Sequence, residues 1–336
     1  MLDASGIELC RRFYQQQVRP SIAALFPGLP HAAALLGRGS EVLGFDDKMS
    51  SDHDWQPRTL IFVDDRDEST TDVVEAALRG VIPERFEGYP TGLTVTTTRS
   101  YLQEQLAIDI KCVITPTDWL TLPEQRLRMM AGGTVYHDEV GLRESLDRIS
   151  YYPDDVWRYL MLAAWWRIHP EMNLVGRIGY VGDDLGSRLI TADMVDGIMR
   201  LCFLLEREYA PYRKWFGTAF SRLKCGAVMV PILQRALSGV SWPDREAALI
   251  DAYRELAAMH NAARVTDFVP TELVRMCGRP FGVHWGDFPG ALRQAITDPE
   301  VLRIAELWPT GDADRVREWI WLPKHRHRLV ALASPH

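Results

Sequence analysis

Gly37-Arg38-Gly39-Ser40-Glu41-Val42-Leu43-Gly44-Phe45-Asp46-Asp47-Lys48-Met49-Ser50-Ser51-Asp52-His53-Asp54 is the stretch on which the reading of this chain turns. A Gly-Ser pair is followed, a dozen positions on, by an Asp-x-Asp pair. Asp52 and Asp54 are two apart, so an extended strand points both carboxylates the same way. Two carboxylates on one face, near a turn of small residues, suit a Mg²⁺ ion that also holds the phosphates of a nucleotide. The glycines let the backbone approach those phosphates, and the Ser40 hydroxyl with nearby N–H groups can bind them. The competing reading is an acidic loop, since Asp46-Asp47 and Asp64-Asp65 are also acidic pairs.

Working outward, the flanks read as a small α/β domain. Leu9, Phe13, Val18, Ile22 and Leu25 recur near helical spacing over residues 4–25, and Phe26-Pro27-Gly28 ends the helix. Ala32–Leu36 reads as a first strand and Gly37–Ser40 as the turn after it. Thr59–Val63 is a strong strand signal preceded by Pro57, and Thr71–Arg79 reads as a helix. Gly92–Thr98 alternates as a third strand does, and carries no acid. After Pro116 the pattern becomes helical, with helices expected over 121–131, 141–149, 154–168, 185–209, 212–223, 229–238 and 243–262. Prolines and glycines punctuate them. A last segment is expected at 313–332.

Bulk properties narrow the class. A chain of 336 residues exceeds what one core usually supports. The expected organisation is a domain over 1–120, a helical domain over 121–285 and a C-terminal extension over 286–336. A hydrophobic content of 47% suffices for ordinary cores, and a net charge of −7 argues against a dedicated nucleic-acid binder. The five cysteines are scattered and form no CxxC, which favours reduced thiols in a cytoplasmic protein. No apolar run reaches membrane-spanning length.

Several residues of the helical half are candidates with two readings each. In Gly182-Asp183-Asp184-Leu185-Gly186-Ser187-Arg188, either aspartate is a natural N-cap, or the helix start faces a cleft and Arg188 contacts phosphate. Lys214, beside Tyr212 and Trp215, reaches a triphosphate or packs its stem on the aromatics. His260-Asn261 closes a helix, where a histidine is favoured by the dipole, or supplies a base. Trp157, Trp165 and Trp166 read as core. His137-Asp138 follows Gly132-Gly133 and lacks metal-ligand spacing to any second histidine.

Gly39-Ser40 with Ser51-Asp52-His53-Asp54 resembles the signature of the polymerase-β-like nucleotidyltransferases, which include antibiotic nucleotidyltransferases and small toxin–antitoxin proteins of the MNT type. A longer set of motifs resembles the DUF4037 family of nucleotidyltransferase-like proteins. It comprises Leu43-Gly44-Phe45-Asp46-Asp47, Ser51-Asp52-His53-Asp54-Trp55, Asp118-Trp119-Leu120, Asp154-Asp155-Val156-Trp157, Gly182 to Arg188, Ala210-Pro211-Tyr212, His260-Asn261 and Arg279-Pro280-Phe281. The resemblance covers roughly residues 5–285. It implies an α+β fold, a nucleotidyltransferase domain with a mixed sheet followed by a helical domain. It also implies Mg²⁺, or Mn²⁺ in its place, held by Asp52 and Asp54, and a nucleoside triphosphate, ATP first, held by Gly37, Arg38, Gly39 and Ser40. Arg188 and Lys214 are further candidates for phosphate charge. The expected reaction moves a nucleoside monophosphate to a hydroxyl of a small-molecule acceptor and releases pyrophosphate, with no nucleic acid and no membrane as partner.

One departure stands out. Such enzymes commonly carry a third carboxylate on a later strand, and the strand at 93–98 has none. Asp109 is the nearest candidate. Asp64, Asp183 or Asp184 are others, with His260 as a possible helical-domain contributor. With no third acid, the domain binds nucleotide without transferring it. A third reading is a toxin-like enzyme that modifies protein or RNA.

Overall fold

The computed structural model describes residues 5–47, 50, 55–284, 286–307, 326, 327 and 330. The chain divides into two compact units, Met1–Tyr151 with Val316–Arg328, and Tyr152–Arg315 with Leu329–His336.

Unit 1 opens with α1 (Gly6–Phe13), whose first turn is capped by the Ser5 hydroxyl accepting from the Glu8 N–H at 3.4 Å. The helix passes through a π-helical turn, Tyr14–Val18, into α2 (Arg19–Leu25). Pro20 lacks an N–H, and the π turn shifts the hydrogen-bond ladder just where that donor is missing. Four strands form the sheet: β1 (Ala32–Leu35), β2 (Arg58–Val63), β5 (Gly92–Thr97) and β6 (Thr134–Asp138), in the order β5-β2-β1-β6. β1 runs antiparallel to both β2 and β6, while β2 and β5 are parallel. The parallel pair requires a crossover, which α3 (Thr71–Arg79) supplies, and a short hairpin of β3 (Arg85–Phe86) and β4 (Tyr89–Pro90) precedes β5. Then come α4 (Thr98–Leu106), α5 (Pro116–Thr121), α6 (Glu124–Ala131) and α7 (Leu142–Asp147). Every residue of β1 is buried, as a central strand covered on both faces must be. Phe13, Ile61, Val63, Val74, Leu78 and Val95 pack into one core beside it. The fold is α+β with a mixed sheet, as expected.

β6 has no strand in the sequence reading. All five of its residues are half-buried, so the burial alternation that marks a strand never appears. The boundary drawn at residue 120 therefore falls inside unit 1, which needs β6 to complete its sheet.

Unit 2 is helical: α8 (Asp154–Ile168), α9 (Leu174–Tyr180), α10 (Asp184–Leu205), α11 (Arg213–Ser221), α12 (Gly226–Ser238) and α13 (Trp242–Ala263). A hairpin of β7 (Val274–Arg275) and β8 (Val283–His284) follows, then α14 (Phe288–Ala295) and α15 (Pro299–Leu307). α13 starts at a capping box in which Ser241 and Asp244 satisfy each other's N–H groups, and Pro243, between them, has no N–H to satisfy. Trp165 is fully buried and stacks on Phe288 at 4.3 Å, so α14, beyond the boundary drawn at 285, belongs to this core. Trp157 is buried too, its indole N–H donating to the Leu204 carbonyl at 2.7 Å. Trp166 is 47% exposed and is not core. The segment expected at 313–332 lies outside the described residues apart from Arg326, His327 and Val330. Among the described residues, no helix is long and apolar enough to cross a membrane.

Candidate functional site

β1 ends in the turn the sequence singles out. Gly37 (φ +91°) and Gly39 (φ +119°) both hold left-handed backbone, which side-chain-bearing residues rarely adopt. A Cβ on Gly37 would lie 2.9 Å from the Tyr101 phenol, and one on Gly39 would collide with the Glu41 carboxylate. The Gly37 N–H donates to the Met129 carbonyl at 3.3 Å, and the turn closes by Phe45 N–H to the Ser40 carbonyl at 2.9 Å. Glu41 is buried beneath the glycines, 2.6 Å from the Arg58 guanidinium. Burial raises the Glu41 carboxyl above its ordinary range, and Arg58 offsets that only in part.

Arg58 also donates to the Arg38 carbonyl, which ties the first residue of β2 to the turn. Antiparallel pairing of β1 with β2 is the reason: the end of one strand meets the start of the other. Arg38 is exposed. Half-buried Arg126 has its pKa lowered, first by burial and then by the like charge of Arg38. Arg58 thus binds the turn, exposed Arg38 lies in it and Arg126 is near enough to feel the Arg38 charge, with Glu41 as the buried counter-charge.

Asp52 and Asp54 lie outside the described residues. Their described neighbours on both sides are tied to the Asp46–Asp47 pair. The Ser50 N–H and hydroxyl donate to Asp47 at 2.9 and 3.0 Å. The Trp55 indole donates to Asp46 at 3.2 Å, and the Gly6 N–H donates to the same carboxylate oxygen at 2.7 Å.

Asp109 follows α4 on a loop rather than a strand. Its carboxylate accepts from Arg99 at 2.5 Å and from the Lys111 N–H at 3.1 Å. The Lys111 N–H foremost, with Arg99, holds it below the usual carboxylate range against the smaller opposing effect of burial. Lys111 in turn pairs with Asp65, which follows the C-terminal end of β2. The Gly37–Ser40 turn lies by the other end of that strand, so Asp109's partners and the turn belong to opposite ends of the strands. Asp64 pairs with Arg66.

The helical candidates are engaged among themselves. Asp183 caps α10 by accepting from the Gly186 N–H at 2.8 Å. Asp184 accepts from Arg188 at 2.7 Å and from buried Arg245 at 2.6 Å, and these two hold its carboxyl below the ordinary range. The Ser187 hydroxyl donates to the Val175 carbonyl at 2.9 Å and accepts from Arg245 at 3.0 Å. Lys214 Nζ lies 4.8 Å from the centre of the Trp215 ring, a cation–π contact. His260 is fully buried, with the Trp165 indole donating to its Nδ1 at 3.3 Å and its Nε2 3.1 Å from the Thr266 hydroxyl. The Thr266 hydroxyl spends its proton on the Asp267 carbonyl, so it accepts from Nε2–H of a neutral ring. Burial lowers the His260 pKa to about 4.

Glu41, Arg58 and Arg126 escaped the sequence reading. Arg58 had one available signal, its place as the first strand residue after Pro57; Glu41 and Arg126 had none, because their roles depend on which strand pairs with which. A second grouping, His31 with His137 and Glu139, was equally invisible, since 106 residues separate the histidines in sequence.

Residues 119–216 match the family model described as a domain of unknown function, DUF4037. A solved structure described as a nucleotidyltransferase-like protein from Exiguobacterium sibiricum aligns with 81% of this chain and 99% of its own length, at 12% identity and a TM-score of 0.35. Among curated proteins none matches. Over residues 119–216, then, this chain is similar to DUF4037, the family its motifs resemble.

Proposed function

We propose that unit 1 carries the nucleotide site of a Mg²⁺-dependent nucleotidyltransferase. The reaction moves a nucleoside monophosphate from a nucleoside triphosphate, ATP first, to a hydroxyl of a small-molecule acceptor and releases pyrophosphate. The observation that carries this reading is the turn after β1, with two left-handed glycines and the guanidinium groups of Arg38, Arg58 and Arg126 near it. Such a turn offers N–H groups and positive charge to phosphate oxygens. Arg38 is the exposed cation of the three and the natural partner for the terminal phosphates.

Asp52 and Asp54 follow the turn in sequence and offer hard oxygen donors of the kind Mg²⁺ takes. When bound, the ion supplies neutralising charge to the triphosphate. The chain's own groups hold the nucleotide at the turn and exclude misaligned poses. Asp52→Asn and Asp54→Asn are expected to abolish Mg²⁺-dependent pyrophosphate release while circular dichroism stays that of the native chain. Unchanged release in either variant would sink the reading.

Asp109 favours a second reading. Its carboxylate is already engaged by Arg99 and the Lys111 N–H. A nucleotide-binding protein that does not transfer needs no third acid. Calorimetry with ATP and Mg²⁺ beside the pyrophosphate assay separates the two: binding without release across varied acceptors supports this alternative.

A further inference from the structure

β6 pairs with β1 at Ala32↔Asp138 and Ala33↔His137, and the register then slips to Ala34↔Val135. Tyr136 is the extra residue of that bulge, and bulges re-aim side chains. Both Tyr136 and His137 consequently stack on Tyr14, which starts the π-helical turn. One step beyond the last pair, the Glu139 N–H donates to the His31 carbonyl at 3.1 Å. Opposed residues share a face, as do residues two apart, so His31, His137 and Glu139 converge. Asp138, pointing the other way, accepts from the N–H groups of Val140, Gly141, Leu142 and Arg143 and fixes the chain just after the strand.

The donor atoms of the three side chains all lie within 4.8 Å of one another. His137 Nε2 is 3.1 Å and His31 Nδ1 3.9 Å from the same Glu139 oxygen. Ligands at about 2.0–2.2 Å around a tetrahedral ion are separated by roughly 3.3–3.5 Å. We propose that His31, His137 and Glu139 bind a divalent transition-metal ion, zinc in the first instance, at the open edge of the sheet. Two imidazoles and one carboxylate are the donor set that zinc takes with a fourth position left to water. His31 Nδ1 gives up its 3.2 Å contact with the Leu29 carbonyl to reach the ion. Its Nε2–H then donates to the Tyr14 oxygen, 2.9 Å away, the outer bond that orients a ligating imidazole. His31 is buried, whereas the Glu139 side chain is 52% exposed, which leaves an entry path.

The test uses the untagged full chain, stripped with chelator and titrated with Zn²⁺ by calorimetry and with Co²⁺ by visible absorption. One equivalent of Zn²⁺ and a tetrahedral cobalt spectrum are expected. Both should be lost in His137→Ala and weakened at least about tenfold in the nearly isosteric Glu139→Gln, with native circular dichroism. Asp52→Asn/Asp54→Asn should leave that equivalent in place. A chain that binds no Zn²⁺, or one whose equivalent survives unchanged in both His137→Ala and Glu139→Gln, overturns the proposal.

Discussion

Gly37-Arg38-Gly39-Ser40 in unit 1 and Gly182-Asp183-Asp184-Leu185-Gly186-Ser187-Arg188 in unit 2 draw on the same residue types, and each reads as a phosphate-binding turn. In unit 2 the ingredients satisfy one another. Asp183 takes the Gly186 N–H, Asp184 takes Arg188 and Arg245, and Ser187 is bonded on both its donor and acceptor sides. A helix start already capped by one carboxylate and bordered by another repels an anion. In unit 1 the carboxylate, Glu41, lies beneath the turn, and an arginine stays exposed beside it. A phosphate-binding turn therefore depends less on glycine and serine than on where the nearest carboxylate is sent.

The largest effect that would break this contrast is at Gly39. Gly39→Val adds a branched side chain to left-handed backbone and drives it into Glu41, so nucleotide affinity should fall on the order of 100-fold or more by calorimetry. Arg188→Ala in the same assay should change affinity by less than about twofold, because its guanidinium is already committed to Asp184. A larger loss would return the helix start to the site.

Next in size, two buried groups, His260 in unit 2 and Glu41 in unit 1, should contribute pH dependences of opposite sign. Burial depresses the His260 pKa from 6.5 to about 4, so its contribution to unit 2 is full above pH 6.5 and is lost as pH falls towards 4. Roughly 2–3 kcal/mol should go, and His260→Gln should remove that slope from denaturant unfolding followed against pH. Glu41 has its pKa raised, so its contribution to unit 1 is present below the ordinary carboxylate range and lost as pH climbs through the raised value. Glu41→Gln should flatten that opposite slope. At neutral pH the amide is spared the cost of ionising in the buried site, so the denaturant midpoint should hold or rise even though the pairing with Arg58 is weakened.

The smallest effect belongs to the cap. Asp183→Ala leaves the Gly186 N–H unsatisfied at the start of α10 and should cost about 1 kcal/mol of unfolding free energy, with nucleotide affinity unchanged.

Much of the helical unit was legible because its signals are local. Pro153, Pro211 and Pro243 each act within one turn of chain, and Asp154–Ile168 and Thr71–Arg79 begin and end where their sequences say. The glycine turn was legible for the same reason. β6 was not, because an edge strand half-buried throughout has no alternation to read, and Trp166 misled because an apolar neighbourhood does not say which side of a helix meets solvent.

By itself the sequence determined helices such as α3, α8, α10 and α13, three strands of the sheet and the turn at Gly37–Ser40, since side-chain periodicity and the glycine and proline breaks depend on near neighbours. Only the tertiary structure set Glu41 against Arg58, gave Asp109 to Arg99 and the Lys111 N–H, sealed His260 between Trp165 and Thr266, and brought His31 to His137. Those partnerships follow from strand pairing and burial between residues far apart in the chain, and electrostatics acts through such distances in space, which spacing along the sequence does not record.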